Sequence, residues 1–126
     1  MTAAAPWPVE LRLQADKKAL HVAYDTGERY VLPAEYLRVE SPSAEVQGHS
    51  PSERKTVPGK QNITIIGVEP VGNYAVRLRF DDMHDSGIFS WDYLLTLGRE
   101  HGQRFADYEA ALAAQGLRRA PRRASS

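Results

Sequence analysis

The sequence predicts an α+β fold: a small antiparallel β-sheet of about six short strands, with C-terminal helices packed against it. Three observations carry that prediction. Apolar and polar residues alternate in short runs up to residue 32 and again between 63 and 89, turn-forming residues separate those runs, and beyond Ser90 the apolar spacing becomes helical.

The first strand is read from Val9, Leu11 and Leu13, which alternate with Glu10, Arg12 and Gln14 so that one face is buried and the other solvated. Ala15–Lys18 is a polar turn, and Leu20, Val22 and Tyr24 resume the alternation. Asp25–Thr26–Gly27 places glycine where a tight turn needs positive φ. Tyr30–Val31–Leu32 is the third strand of this meander. Pro33 pre-sets φ for a first helical turn, so Pro33–Leu37 reads as a short helix.

From Ser41 to Gln61 three prolines and two glycines interrupt any periodicity, which predicts a loop of about twenty residues. Strands return at Ile63–Glu69 and Ala75–Phe80, with Pro70–Asn73 as the hairpin turn between them. Gly87–Phe89 follows an acidic turn, Asp81–Asp85, as a brief sixth strand. Ser90 is an N-cap, and Asp92 suits the positive end of a helix dipole. Trp91, Leu94, Leu95 and Leu97 are expected to face the core, and Gly98 and Gly102 to end or interrupt that helix. A last helix is read from Gln103 to Gln115, with Phe105, Tyr108 and Leu112 on one face and Gly116 closing it. The expected organisation is a flexible N-terminus over 1–8, a domain over 9–117 and a disordered basic tail over 118–126.

Composition narrows the function. A chain of 126 residues without cysteine has no thiol catalysis, no thiolate zinc site and no cysteine-held iron–sulfur cluster. Sixteen Lys and Arg balance sixteen Asp and Glu, which argues against a dedicated nucleic-acid binder. Without the four tail arginines, twelve positive charges face sixteen negative ones, so the body is mildly acidic. The N-terminus lacks a basic region before its short apolar stretch, and no apolar run approaches the ~20 residues of a membrane span. The expectation is a cytoplasmic protein.

Glycine-rich phosphate loops, the G-x-S-x-G elbow, H-E-x-x-H and the H-x-D/E start of an iron triad are all missing. A Ser–His–Asp triad leaves no mark in sequence, because its members meet only in space, but no elbow presents any of these serines. Asp81–Asp82–Met83–His84–Asp85 is the densest set of metal-ligating residues; it reads as a solvated turn rather than a cation site, since so short a segment cannot aim all its carboxylates at one ion. His49 reads as an exposed loop histidine rather than a pocket residue. The arginines of the tail read as a frayed, solubilising terminus rather than a phosphate contact.

Three segments, in order, resemble one family: Leu32–Arg38, Ser41–Val46, and His84 through Ser86–Gly87–Ile88–Phe89 to Trp91–Asp92–Tyr93–Leu94. Together they are similar to the gamma-butyrobetaine hydroxylase N-terminal-like domain, found in bacteria as a stand-alone domain of unknown function. In the hydroxylases this domain precedes an iron- and 2-oxoglutarate-dependent catalytic domain, and it carries a structural zinc on three cysteines and a histidine. The resemblance puts those cysteines at Ser41, Ser43 and Val46 and the histidine at His84. A hydroxyl is a poor substitute for thiolate and valine is no ligand, so the resemblance implies a lost zinc site and no resident cofactor.

The expected function is therefore a non-catalytic accessory or protein-binding domain whose partner is another protein, with neither nucleic acid nor membrane as a target. Its interaction surface is expected around His49, His84, Asp85, Ser86 and Trp91, and His84 is expected to hydrogen-bond a hydroxyl of Ser41 or Ser43. The alternatives are a metal-linked module assisting iron–sulfur carrier proteins or an oxygenase partner, and an enzyme with a polar site around His49 and His84.

Overall fold

A computed structural model describes residues 6–48 and 50–121. Its strands are β1 (Pro8–Leu13), β2 (Ala19–Tyr24), β3 (Arg29–Pro33), β4 (Ile65–Val71), β5 (Ala75–Phe80) and β6 (Gly87–Ser90), and its helices α1 (Ala34–Val39), α2 (Ala44–Gln47), α3 (Trp91–Arg99) and α4 (His101–Ala114). The six strands form two three-stranded antiparallel sheets, ordered β1-β2-β3 and β4-β5-β6. Because β3 runs directly into α1, the chain leaves the first sheet before β4 is reached.

Cross-strand register explains the alternation. Leu11, Val22 and Tyr30 form one inward row of the first sheet, and Leu13, Leu20 and Leu32 form the next. In the second sheet Leu78 faces Val68, and Val76 faces Phe89. These rows meet in one core with Tyr36 and Leu37 of α1 and Leu94, Leu95 and Leu97 of α3. Full burial of a leucine or phenylalanine side chain contributes about 1.5–3 kcal/mol, so this shared interior dominates stability. Val39, Tyr108 and Leu112 form a second, smaller cluster beneath α4.

The helix ends follow local chemistry. The Ser90 side chain accepts the Tyr93 N–H, as an N-cap does. Gly116, at φ 67°, lets Gly116 N–H reach the Ala113 carbonyl and Leu117 N–H the Leu112 carbonyl, closing α4 in a Schellman motif. The expected break at Gly98 is corrected: Gly98 lies inside α3, where an added Cβ would come within 2.5 Å of the Tyr30 ring. Glycine is there for close helix–strand approach. The chain turns instead at Glu100, so α4 begins at His101 rather than Gln103. Pro33 ends β3 and caps α1 rather than opening it.

Three further expectations change. The 41–61 segment is not without structure: it holds α2 and a 3₁₀ turn, Pro51–Glu53, and Lys55 N–H returns to the Val46 carbonyl. Four residues are too few to leave a periodic signal. At the N-terminus, Trp7 N–H donates to the Asp25 carboxylate, Asp25 N–H donates to the Trp7 carbonyl and Pro8 opens β1, so neither Trp7 nor Pro8 is a free end. Arg118 and Arg119 are likewise not a frayed tail. Their carbonyls accept Gly59 and Gln61 N–H, and Arg119 forks onto the buried Glu35 carboxylate at 2.8 and 2.9 Å while its guanidinium lies over the Phe105 ring. Arg122 and Arg123 lie outside the described residues.

The short helix α1 is the hub of these contacts. Its apolar residues enter the core, and the charged residues along and just after it each reach a different part of the chain: Glu35 to Arg119, Arg38 to Asp82, and Glu40 to Arg54 and Arg104.

Candidate functional site

Where α1 ends, the chain crosses the tip of the β5–β6 turn, and a polar cluster forms beneath the crossing. Ser41 follows α1, Ser43 is the N-cap of α2, Glu45 lies in its first turn, and His84 and Ser86 come from the β5–β6 turn. His84 Nε2 lies 2.9 Å from Ser41 Oγ, and its Nδ1 lies 3.1 Å from the Glu45 carboxylate. Ser43 Oγ lies 2.7 Å from Ser86 Oγ and accepts the Glu45 N–H, while Ser41 Oγ accepts the Ser43 N–H. The hydrogen bond expected between His84 and a serine hydroxyl is thus made to Ser41.

Burial pushes the His84 imidazole below its ordinary range, and the nearby Arg38 charge adds to this against the opposing pull of Glu45. A neutral ring satisfies every partner: Nδ1–H donates to Glu45, and Nε2 accepts the Ser41 hydroxyl proton. The turn below is equally fixed. Phe80 N–H reaches the His84 carbonyl, Met83 N–H the Phe80 carbonyl, and His84 N–H the Asp82 carboxylate. Arg38 at 2.8 Å and Lys60 at 2.7 Å hold that same carboxylate. Burial alone would raise the Asp82 carboxyl; Lys60, the His84 N–H and Arg38 outweigh it and hold it at about 2.

The connectivity Ser41–His84–Glu45 is that of a serine hydrolase triad, with hydrogen-bond distances in range. Its burial is inverted. Ser41 is 0 % exposed, sealed by Gly87, whose absent Cβ would lie 2.6 Å from Ser41 Oγ, whereas the Glu45 side chain is 69 % exposed. No substrate carbonyl reaches that hydroxyl. In this arrangement the three residues are a staple between α2 and the second sheet.

The same positions fail the test for zinc. Ser41 and His84 are in contact and Ser43 adjoins them, but Val46 is an aliphatic side chain buried in the interior. Both imidazole nitrogens are engaged, and two neutral hydroxyls complete the donor set, which does not fit a structural zinc centre. Among the described residues no group of three or more His, Cys, Asp or Glu side chains is placed to hold a metal.

The structure separates the other candidates. Asp85 and Ser86 are exposed beside the staple, and Met83, at φ 74°, projects from the same turn 82 % exposed. His84 itself is buried and offers no surface. Trp91 does not close the core beneath this turn. It is half-buried at the far end of β5, where its Nε1–H donates to the Asn73 carbonyl and its own carbonyl accepts the Tyr24 hydroxyl. His49 lies outside the described residues. Glu45 and Gln47, whose amide donates to the Ser41 carbonyl, were not among the expected residues. The helix-start pattern Ser43–Ala44–Glu45 was the available signal for α2.

No helix among the described residues is long and apolar enough to cross a membrane. Among curated proteins, none matches the chain significantly. Solved structures do. One, a protein solved in solution by NMR, shares 47 % identity at a TM-score of 0.81, over 96 % of this chain and 95 % of that one. A second NMR structure shares 38 % identity at a TM-score of 0.79, over 100 % and 96 %. A crystal structure of a protein of unknown function from Acidithiobacillus ferrooxidans, assigned to the DUF971 family, shares 37 % identity at a TM-score of 0.61, over 72 % and 91 %. The model of the family described as gamma-butyrobetaine hydroxylase-like, N-terminal, matches residues 11–95, and the chain belongs to that family.

Proposed function

We propose that this domain is a non-catalytic, cytoplasmic accessory module that binds another protein, and that a metal-free hydrogen-bonded staple has replaced the zinc of its cysteine-bearing relatives. The single observation that carries the reading is the inverted burial of Ser41–His84–Glu45: the nucleophile is sealed and the carboxylate faces solvent. Such a cluster fixes a loop and performs no acyl transfer. What it fixes is the β5–β6 turn, which presents Met83, Asp85 and Ser86 outward on a backbone tied at Phe80, Asp82 and His84. Loops held on a rigid sheet are where binding determinants concentrate.

The test is affinity capture with the wild type and with an Asp85→Lys variant that keeps the wild-type melting temperature. A protein retained by the wild type, lost by the variant and rebinding as a purified component supports the reading. Equal retention by both proteins places the interface elsewhere and refutes it. Turnover of an ester or amide substrate that disappears in Ser41→Ala would refute the non-catalytic part.

A further inference from the structure

We propose that the cavity between α1, α2 and residues 55–58 binds a phosphate group, free or carried on a small aliphatic body. The cavity measures about 440 Å³, within the range of small-ligand sites, and Arg38, Glu45, Lys55 and Thr56 supply its polar lining. It adjoins the staple at Glu45 and goes beyond the protein-binding reading, on which it does not depend.

Arg38 is the residue that calls for a ligand. Its side chain is only 12 % exposed, yet among the described residues its guanidinium makes a single hydrogen bond, from Nε to Asp82. Nη1 is buried and has no partner. Buried donors in folded proteins are almost always engaged, and an orphaned one is commonly completed by an ion or an ordered water. Lys55 lines the same cavity, and its backbone N–H on the Val46 carbonyl ties this segment to α2. Thr56 Oγ1 accepts the Gln115 amide at 2.8 Å, which leaves its hydroxyl proton to donate.

The charge balance around Arg38 favours an anion. The lining sets Arg38 and Lys55 against Glu45. Behind Arg38, the Asp82 carboxylate is shared with Lys60 at 2.7 Å, so it does not cancel the guanidinium. Three cations thus meet two carboxylates. Lys55 also borders the cleft beside Glu40, but among the described residues no carboxylate there lies within ion-pair distance of it. Burial sharpens the difference. Glu45 is 69 % exposed, so water and salt screen its repulsion, whereas Arg38 attracts from the interior. Donors on Arg38, Lys55 and Thr56 suit a group with three acceptor oxygens, which phosphate has and carboxylate lacks. Val46, Val57 and Pro58 line the remainder, a surface for an aliphatic body; none of the lining residues is aromatic, so a nucleobase finds no stacking face.

The experiment is chemical-shift mapping on ¹⁵N-labelled full-length protein with inorganic phosphate, propyl phosphate, propionate and propanol at matched ionic strength. At least one of the phosphates should give saturable shifts at residues 38, 45–46 and 55–57. Propionate and propanol should bind at least about tenfold more weakly, as loss of one charge-assisted hydrogen bond implies. Tighter binding of propyl phosphate than of inorganic phosphate assigns the site to an ester, and equal or weaker binding assigns it to the free ion. Lys55→Ala and Arg38→Lys should each weaken binding by about tenfold, the second because it keeps the charge beside Asp82 but removes the unpartnered Nη donor. If Arg38→Lys does not fold, Lys55→Ala, which removes only an exposed charge, decides. No saturable shift with either phosphate at about 10 mM, propionate or propanol binding as tightly as the phosphates, or an unaltered affinity in Lys55→Ala would each overturn the proposal.

Discussion

The His84 side chain makes two hydrogen bonds, to Ser41 and to Glu45, and its removal is felt at both. His84→Ala leaves the buried Ser41 hydroxyl without an acceptor, and that desolvated group costs about 1–3 kcal/mol. Urea unfolding of the variant should show a loss in that range; a loss below about 0.5 kcal/mol would mean the staple adds nothing beyond an ordinary surface contact. Gly87→Ala should be as harmful from the other side, because its Cβ would press Ser41 Oγ at 2.6 Å and the Phe89 ring at 3.0 Å.

Acid should act on the same residues. The His84 pKa is depressed in the fold, so its contribution is present above the unfolded value of 6.5 and is lost as pH falls through the lower, folded value. Asp82 follows the same sign further down: its contribution holds above 3.8, amounts to roughly 2 kcal/mol, and fades as pH drops towards about 2. Urea midpoints at neutral pH, between pH 6.5 and 5, and near pH 3 should therefore decline in two stages. The upper stage should shrink in His84→Gln, leaving the part due to His101, whose pKa burial also lowers. A flat profile down to pH 4 would contradict the neutral buried imidazole.

At the scale of elements, close approach matters more than propensity. Gly98→Ala improves intrinsic helix propensity by up to about 1 kcal/mol, yet it should destabilise, because the new methyl meets the Tyr30 ring at 2.5 Å. A double-mutant cycle with Tyr30→Ala should recover part of that loss, as residues in direct contact are not additive. The elements themselves were legible wherever a periodic signal had room to repeat. Leu11–Leu13 and Leu20–Tyr24 alternate over whole strands, and Ser90 marks its helix start with no tertiary help. Helix α2 left no periodic signal, only the start pattern at Ser43, because four residues hold no repeat, and the α3–α4 break was misplaced because a glycine kept for packing looks, in sequence, like one kept for termination.

At the scale of the molecule, the site was legible only in part. The meeting of His84 with Ser41 accords with the resemblance, which sets both at positions that would share one ligand set and so one place in space. Glu45 completes it from a position that the pattern does not mark. The role of Arg119 had no local signal at all: its partner lies 84 residues away, and an arginine near three others in sequence reads as a solvated end. Arg119→Ala should cost about 2 kcal/mol or more by leaving the Glu35 carboxylate buried and uncompensated, while the exposed Arg118→Ala should stay within about 0.5 kcal/mol. Equal effects of the two would return both residues to a loose tail. The metal question is also one for the whole molecule. Elemental analysis of purified protein should find far less than one zinc per chain, and a chelator should leave the melting temperature unchanged; a stoichiometric, chelator-sensitive zinc would overturn the donor-set argument.

The pairing of α1 with distant segments also dictates an order of events during synthesis. The ribosome releases Glu35 early and Arg119 84 residues later, with the arginines that serve Glu40 in between. A nascent chain that collapsed around α1 as soon as the first sheet formed would bury carboxylates with no countercharge, at a cost of several kcal/mol each. The first meander can therefore form while translation continues, but α1 has no stable seat until residues 54, 104 and 119 have all emerged. Premature compaction is penalised by the same ion pairs that secure the finished domain.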